Sequence, residues 1–126
     1  MKIDAVAVTS SNIKETVKFY TLLGFNFRDF KEDEQHLEPT TPDGSARLMI
    51  DSIKMIESIL GYKPKPSNHS NFAIEYDSAE KVNEVAKKLT DNGYILVKEP
   101  WNAFWGQRYC VAKDPDGYLI DLYARI

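Results

Sequence analysis

The chain has one cysteine, Cys110, so no internal disulfide can form, which suits a reducing compartment. It has two histidines, His36 and His69, which leaves few of the nitrogen ligands that transition-metal sites favour. No apolar run approaches the roughly 18 residues of a membrane span, and no apolar signal core follows Met1. A cytoplasmic protein with no membrane partner is the expectation. Basic surplus is absent too. The formal net charge is −3, so no positive field draws nucleic acid. Gly44, Gly61, Gly93 and Gly106 are too dispersed for a phosphate-cradling loop. There is no Cys-x-x-Cys pair and no Ser-His-Asp arrangement. Cys110 lies in an alternating run and reads as a buried structural thiol rather than a nucleophile.

What is present is ordinary globular material. The chain has 126 residues, 43% hydrophobic and 28% charged, enough for one domain with a real core. Its two halves share a grammar. Ile3 to Val8 alternates as a strand, then Asn12 and Glu15 form a capping-box-like pair. Ile13, Thr16, Phe19, Tyr20 and Leu23 recur at helical spacing, and Gly24 ends the helix. Strands are expected at Phe25–Phe30, Gln35–Thr40 and Ala46–Asp51, the last two separated by Pro42-Asp43-Gly44.

The second half repeats this order. Asn71–Tyr76 alternates, Ser78 is placed as a cap, and Val82, Val85, Ala86 and Leu89 share a helix face. Asn92-Gly93 ends that helix. Strands are expected at Tyr94–Lys98, Arg108–Lys113 and Tyr118–Tyr123, the last two separated by Pro115-Asp116-Gly117. Aligning the caps pairs Phe19 with Val85, Tyr20 with Ala86 and Leu23 with Leu89, with helices differing by about one turn. The expected class is α+β, one domain of two βαβββ modules: 1–62 and 68–126, joined by a proline-bearing linker at 63–67. Residues 52–60 add a short extra helix.

Three stretches carry a family resemblance: Asn12 through Tyr20, then Leu23-Gly24-Phe25, and Trp105-Gly106-Gln107-Arg108 followed by Asp114-Pro115-Asp116-Gly117 and Tyr118–Leu122. Their order and spacing resemble the vicinal oxygen chelate superfamily, the glyoxalase, bleomycin-resistance and dioxygenase group. The resemblance implies curved mixed sheets around a cavity, helices on the outer faces, and a homodimer. Val6, Val8, Phe72 and Ile74 would then face helices, and Ala5, Ala7, Asn71 and Ala73 the cavity.

Metal-dependent members of that group place His and Glu ligands on the first and last strands of each module. Carried over by register, those positions are Ala5, Leu48 or Met49, Asn71 and Asp121. One good ligand in four is not a metal site, so neither metal nor other cofactor is expected. His69, two residues before Asn71, is the one side chain that a register change would bring to Asp121. Otherwise His36 and His69 read as exposed or locally bonded.

The remaining signal is aromatic: Trp101, Phe104 and Trp105 in a loop before the Arg108–Lys113 strand, with Tyr109 nearby. Such rings pack on the domain, build a dimer interface, or stack on a flat ligand. The expected ligand-binding residues are Asn71, Trp101, Phe104, Trp105, Arg108, Tyr109 and Asp121. Asp121, Glu38 and Glu75 suit a cation, and Arg108 either an anionic group or a surface ion pair.

Three functions follow. The first is a metal-free protein binding a small, planar aromatic molecule, as bleomycin-resistance proteins do. The second is an enzyme, either a lyase or dioxygenase using His69 and Asp121 or a metal-free isomerase with a carboxylate base. The third is an interaction module without a ligand cavity. Antibiotic resistance is an association of the family, not of any residue here.

Overall fold

Asn12 caps the first helix as expected. Following strand β1 (Ala5–Ser10), its side chain accepts a hydrogen bond from the Glu15 backbone N–H at 3.1 Å, and α1 (Ile13–Leu23) begins. Gly24 ends α1 at φ 113°, a left-handed conformation that suits a residue without Cβ. Its N–H and that of Phe25 close on the carbonyls of Thr21 and Tyr20. The computed structural model describes all 126 residues, in two compact units, Met1–Lys65 and Pro66–Ile126. That division falls inside the proline-bearing 63–67 segment.

In the first unit the remaining strands are β2 (His36–Leu37) and β3 (Arg47–Ser52), and a short helix, α2 (Ile53–Leu60), follows. The sheet order is β1-β3-β2, with β1 parallel and β2 antiparallel to β3. Two expected strands are shorter or missing. Phe25–Phe30 keeps its alternation of half-buried and exposed residues but forms only one bridge, Asn26 to Thr40. Arg28 ends the pairing by turning onto the Glu34 carboxylate at 2.7 and 2.8 Å, which folds 28–34 into a loop. Gln35–Thr40 is reduced to His36–Leu37, and Pro39, which has no N–H for a ladder, stands two residues beyond it. Val8, Leu37, Leu48 and Ile50 are buried on one side of this sheet. α1 buries Ile13, Thr16, Val17, Phe19, Tyr20 and Leu23, and Thr16 is bonded to Ser10 of β1 at 2.6 Å.

The second unit has the full βαβββ order: β4 (Ser70–Glu75), α3 (Ala79–Asp91), β5 (Ile95–Ala103), β6 (Gln107–Lys113) and β7 (Leu119–Arg125). Ser78 caps α3, accepting the Lys81 N–H at 3.1 Å. At 13 residues α3 is two longer than the 11-residue α1, about half a turn. The sheet order is β4-β7-β6-β5, with only the β4–β7 pair parallel. Both sheets are therefore mixed, and the class is α+β. Cys110, Ala112, Ile120, Leu122 and Ala124 are buried on the side where Val82, Val85, Ala86 and Leu89 of α3 lie. Burial pushes the Cys110 thiol up to about 12, so it stays protonated.

The Asp114–Tyr118 turn between β6 and β7 is tightly closed. The buried Asp114 carboxylate accepts the N–H groups of Asp116 and Tyr118, each at 2.9 Å, which holds the start of β7 in place. No helix in the chain is long and apolar enough to cross a membrane.

Candidate functional site

Alternation along β6 and β7 sets Tyr109, Asp121 and Tyr123 on the sheet face opposite α3. Tyr109 pairs with Tyr123 across the ladder, and Asp121 pairs with Val111 on one side and Ala73 on the other. Asp121 is half-buried and accepts two hydrogen bonds, from Tyr109 Oη at 2.8 Å and Ser70 Oγ at 2.5 Å. Both fall on Oδ1, which leaves Oδ2 with no partner in the chain. Burial, reinforced by the adjacent Asp121 carboxylate, pushes the Tyr109 phenol up to about 12. Tyr109 therefore stays a neutral donor and fixes the carboxylate.

Beside this pair stands a connected set of rings. Trp105 meets Trp101 at 5.6 Å, Phe104 at 4.9 Å and Tyr109 at 5.4 Å between centroids, all edge to face. Trp101 does not lie in a loop as expected. β5 runs through Pro100, where the ladder breaks register between Lys98 and Trp101, and Trp101 pairs directly with Tyr109. Phe104 and Trp105 occupy the β5–β6 hairpin, where Gly106 at φ 90° makes the turn. The Trp105 indole N–H donates to Gln107 Oε1 at 2.8 Å. Phe104 is 91% exposed and Trp105 48%, so these rings stand free of the core. Lys98 Nζ lies 4.8 Å from the Trp101 ring centroid, a cation already on an aromatic face.

Two of the expected site residues stand elsewhere. The β4–β7 register shifts between Ser70 and Phe72, leaving Asn71 exposed in the irregularity while Ser70 reaches Asp121. Arg108 pairs with Asn102 and Ala124, one residue out of phase with Tyr109, and turns to the α3 side. The structure thus brings together Trp101, Phe104, Trp105, Tyr109 and Asp121, adds Ser70, and separates Arg108.

The first unit carries a charged network that sequence reasoning passed over. On the sheet face opposite its buried side, His36 Nδ1 bonds Asp51 Oδ1 at 2.6 Å and Nε2 bonds Glu38 Oε2 at 2.7 Å. Arg47 holds Glu38 at 2.8 Å and Asp4 at 2.6 Å. His36 and Glu38 are two apart, hence on one face, and that spacing was the available signal. With a carboxylate at each nitrogen, both nitrogens must donate, so His36 is held as imidazolium. Its pKa is raised above the ordinary 6.5, by the Glu38 hydrogen bond first and Asp51 second. A folded value above the unfolded one gives stability that is fully present below pH 6.5 and lost as pH rises through the folded value. By NMR, His36 is expected to titrate above 6.5, with Glu38→Gln lowering it more than Asp51→Asn. A His36 titrating at the ordinary value would refute the imidazolium assignment.

The same unit has a polar pocket of about 480 Å³ lined by the helix caps Asn12 and Ser52 and by the acidic run Glu32-Asp33-Glu34. Within that run the Glu34 carboxylate is taken by Arg28.

One three-stranded and one four-stranded mixed sheet with a repeated strand–helix order define a two-module α+β protein. The model of the Glyoxalase/Bleomycin resistance protein/Dioxygenase superfamily matches residues 2–122, and the chain belongs to that superfamily. Among solved structures, it is similar to a glyoxalase/bleomycin resistance protein/dioxygenase family enzyme from Burkholderia phytofirmans PsJN, at 16% identity over 100% of both chains and a TM-score of 0.82. A hypothetical protein from S. aureus matches at 17% identity, 98% of this chain, 94% of that one and a TM-score of 0.80. A superfamily member from Sphaerobacter thermophilus DSM 20745 matches at 22% identity, 99% of this chain, 98% of that one and a TM-score of 0.72. Identities this low carry the fold and nothing finer. No curated protein matches the chain.

The metal that metal-dependent members of this superfamily hold does not fit these residues. Ala5 has no donor. Of the two fourth-strand candidates, Leu48 is buried and Met49 is the one on the open face, offering a thioether. Ser70 stands where Asn71 was expected, with a neutral hydroxyl. Asp121 is the one carboxylate, and no group of three or more His, Cys, Asp or Glu side chains is placed to hold an ion. His69 is exposed, and its Nδ1 donates to the Ser70 carbonyl at 2.9 Å.

Proposed function

We propose that this chain is a metal-free binding protein for a small planar aromatic cation, held at Asp121 against Trp101, Trp105 and Tyr109. The observation that carries this reading is the Asp121 carboxylate. One oxygen is pinned by Tyr109 and Ser70, the other has no partner in the chain, and a connected set of rings stands beside it. A carboxylate fixes the charge of such a ligand and the rings take its face, the usual division of labour in a small-molecule site. The mismatched donor set supports binding over metal-assisted chemistry. A lyase or dioxygenase would need His69 released from the Ser70 carbonyl and further ligands besides.

The test is a titration with proflavine, a flat monocation, read by calorimetry and by quenching of the two tryptophans. Saturable binding in the micromolar range is expected, with no binding of a neutral ring of the same size. Equal affinity for the neutral ring would remove Asp121 from the site. Stoichiometric uptake of nickel, zinc, manganese or ferrous iron, reversed by chelator, would overturn the metal-free reading.

The proposal extends to a cytoplasmic homodimer. Ile59, Leu60 and Tyr62 are exposed at the end of α2, a helix that buries no residue fully, and a second copy would cover them. Light scattering should give twice the 14.4 kDa chain mass, and a monomer at micromolar concentration would reject it.

A further inference from the structure

The β4–β7 sheet carries a second polar feature on its α3 side. Arg108 Nε donates to Asn83 Oδ1 at 2.9 Å, and Nη1 donates to Asn102 Oδ1 at 3.2 Å. Both acceptors are neutral amides. The chain has four arginines. Arg28, Arg47 and Arg125, with side chains 57%, 46% and 80% exposed, each hold a carboxylate. Arg108 is half-buried, yet it is the one without an ion pair. Elsewhere in proteins the less exposed charge is the one that needs a counter-charge, because water screens it less. Two asparagines hold this guanidinium in place without neutralising it, and Nη2 has no partner in the chain.

Arg108 borders a groove of about 250 Å³ between α3 and β5. Ala86, Leu96 and Pro100 give the groove its apolar part, and Thr90 adds a hydroxyl to a lining that is otherwise charged or amide. Lys87 also reaches it, but its ammonium is taken by Asp91 at 2.5 Å. The single carboxylate among the lining residues is Glu99, which is exposed and forms no ion pair with Arg108. One unneutralised cation, with the Glu99 carboxylate at the rim to repel a second negative charge, suits a monoanion, and the apolar part of the groove suits a small hydrocarbon body.

We propose that this groove is a second ligand site, for a small organic carboxylate whose anionic end sits on Arg108 and whose apolar body lies against Ala86, Leu96 and Pro100. By strand alternation it is on the opposite side of the sheet from Asp121, so it stands independently of the cation site. The guanidinium supplies a planar fork that a carboxylate matches, and the asparagines pre-organise it.

The test uses sodium benzoate as the probe and inorganic phosphate as the comparison, with the Arg108 Nε–Hε and Asn83 side-chain NMR signals as readout. Benzoate should shift them saturably and phosphate should bind more weakly. Arg108→Gln should weaken benzoate binding by about tenfold, the loss of one charge-assisted fork. Glu99→Gln should tighten it by about two- to threefold, because a like charge leaves the rim. Arg108→Lys keeps the charge without the fork and guards against a folding artefact: it should also bind more weakly, with the rest of the amide spectrum unchanged. No saturable shift in the wild-type chain, or full affinity in Arg108→Gln, would overturn the site.

Discussion

Replacing Asp121 by Asn is expected to weaken binding of a planar cation about thirtyfold, from the loss of about 2 kcal/mol in one charge-assisted contact. The substitution is nearly isosteric. An amide oxygen at the Oδ1 position still accepts from Tyr109 and Ser70, so the local hydrogen bonds persist. What disappears is the charge on the open side. Tyr109 gives an internal check that needs no ligand. Its phenol is pushed up to about 12 by burial first and by Asp121 second. In Asp121→Asn its ultraviolet titration should therefore move down but remain above the ordinary 10, because burial is untouched. Trp105→Ala should weaken the same ligand by about fivefold, near 1 kcal/mol for one cation–π or stacking face. Unchanged affinity in Asp121→Asn, with the Tyr109 shift observed, would show that the carboxylate is structural and the ligand lies elsewhere.

The fold was legible where local chemistry and periodicity agree. Asn12 and Ser78 cap their helices because short polar side chains satisfy orphan N–H groups, a property that needs no tertiary partner. The Asp114–Gly117 turn was legible for the same reason. Reading failed where one residue enters or leaves a ladder. The irregularity at Asn71 puts Ser70 on Asp121, and a bulged residue leaves no trace in an alternation that otherwise continues. The shifts near Pro100 carry β5 past a residue that normally ends strands, which moved Trp101 from an expected loop into a sheet.

Conversely, Phe25–Phe30 alternates like a strand but has almost no partner, since alternation reports which face is buried and not whether a ladder forms. Arg108 was within reach of the sequence. It is two residues from the buried Cys110 and shares its face, while Tyr109 and Asp121 take the other. The His36–Asp51 contact spans 15 positions across a strand pair, a pairing that becomes visible only once β2 and β3 are in register.

The two modules should also differ in how much stability one matched side chain carries. Phe19→Ala is expected to cost about 4 kcal/mol, because a fully buried ring leaves a cavity that its neighbours fill only in part. Phe19 is 0% exposed on α1 and packs edge to face on Tyr20 at 5.0 Å, and Tyr20 in turn meets Phe25 at 6.1 Å. The position matched to it by the helix caps is Val85 of α3, 2% exposed. Val85→Ala removes only two methyl groups, so about 2 kcal/mol is expected there. Against a total of about 5–15 kcal/mol for a domain, the first loss takes a large part of the stability and the second a modest one. Urea titrations followed by far-UV circular dichroism would give both values. Both tryptophans lie in the second unit with α3, so their emission should follow the dichroism in Val85→Ala. A loss below about 1.5 kcal/mol in Phe19→Ala would mean that α1 collapses into the space, and that the aromatic pair Phe19–Tyr20 is not what holds the first module together.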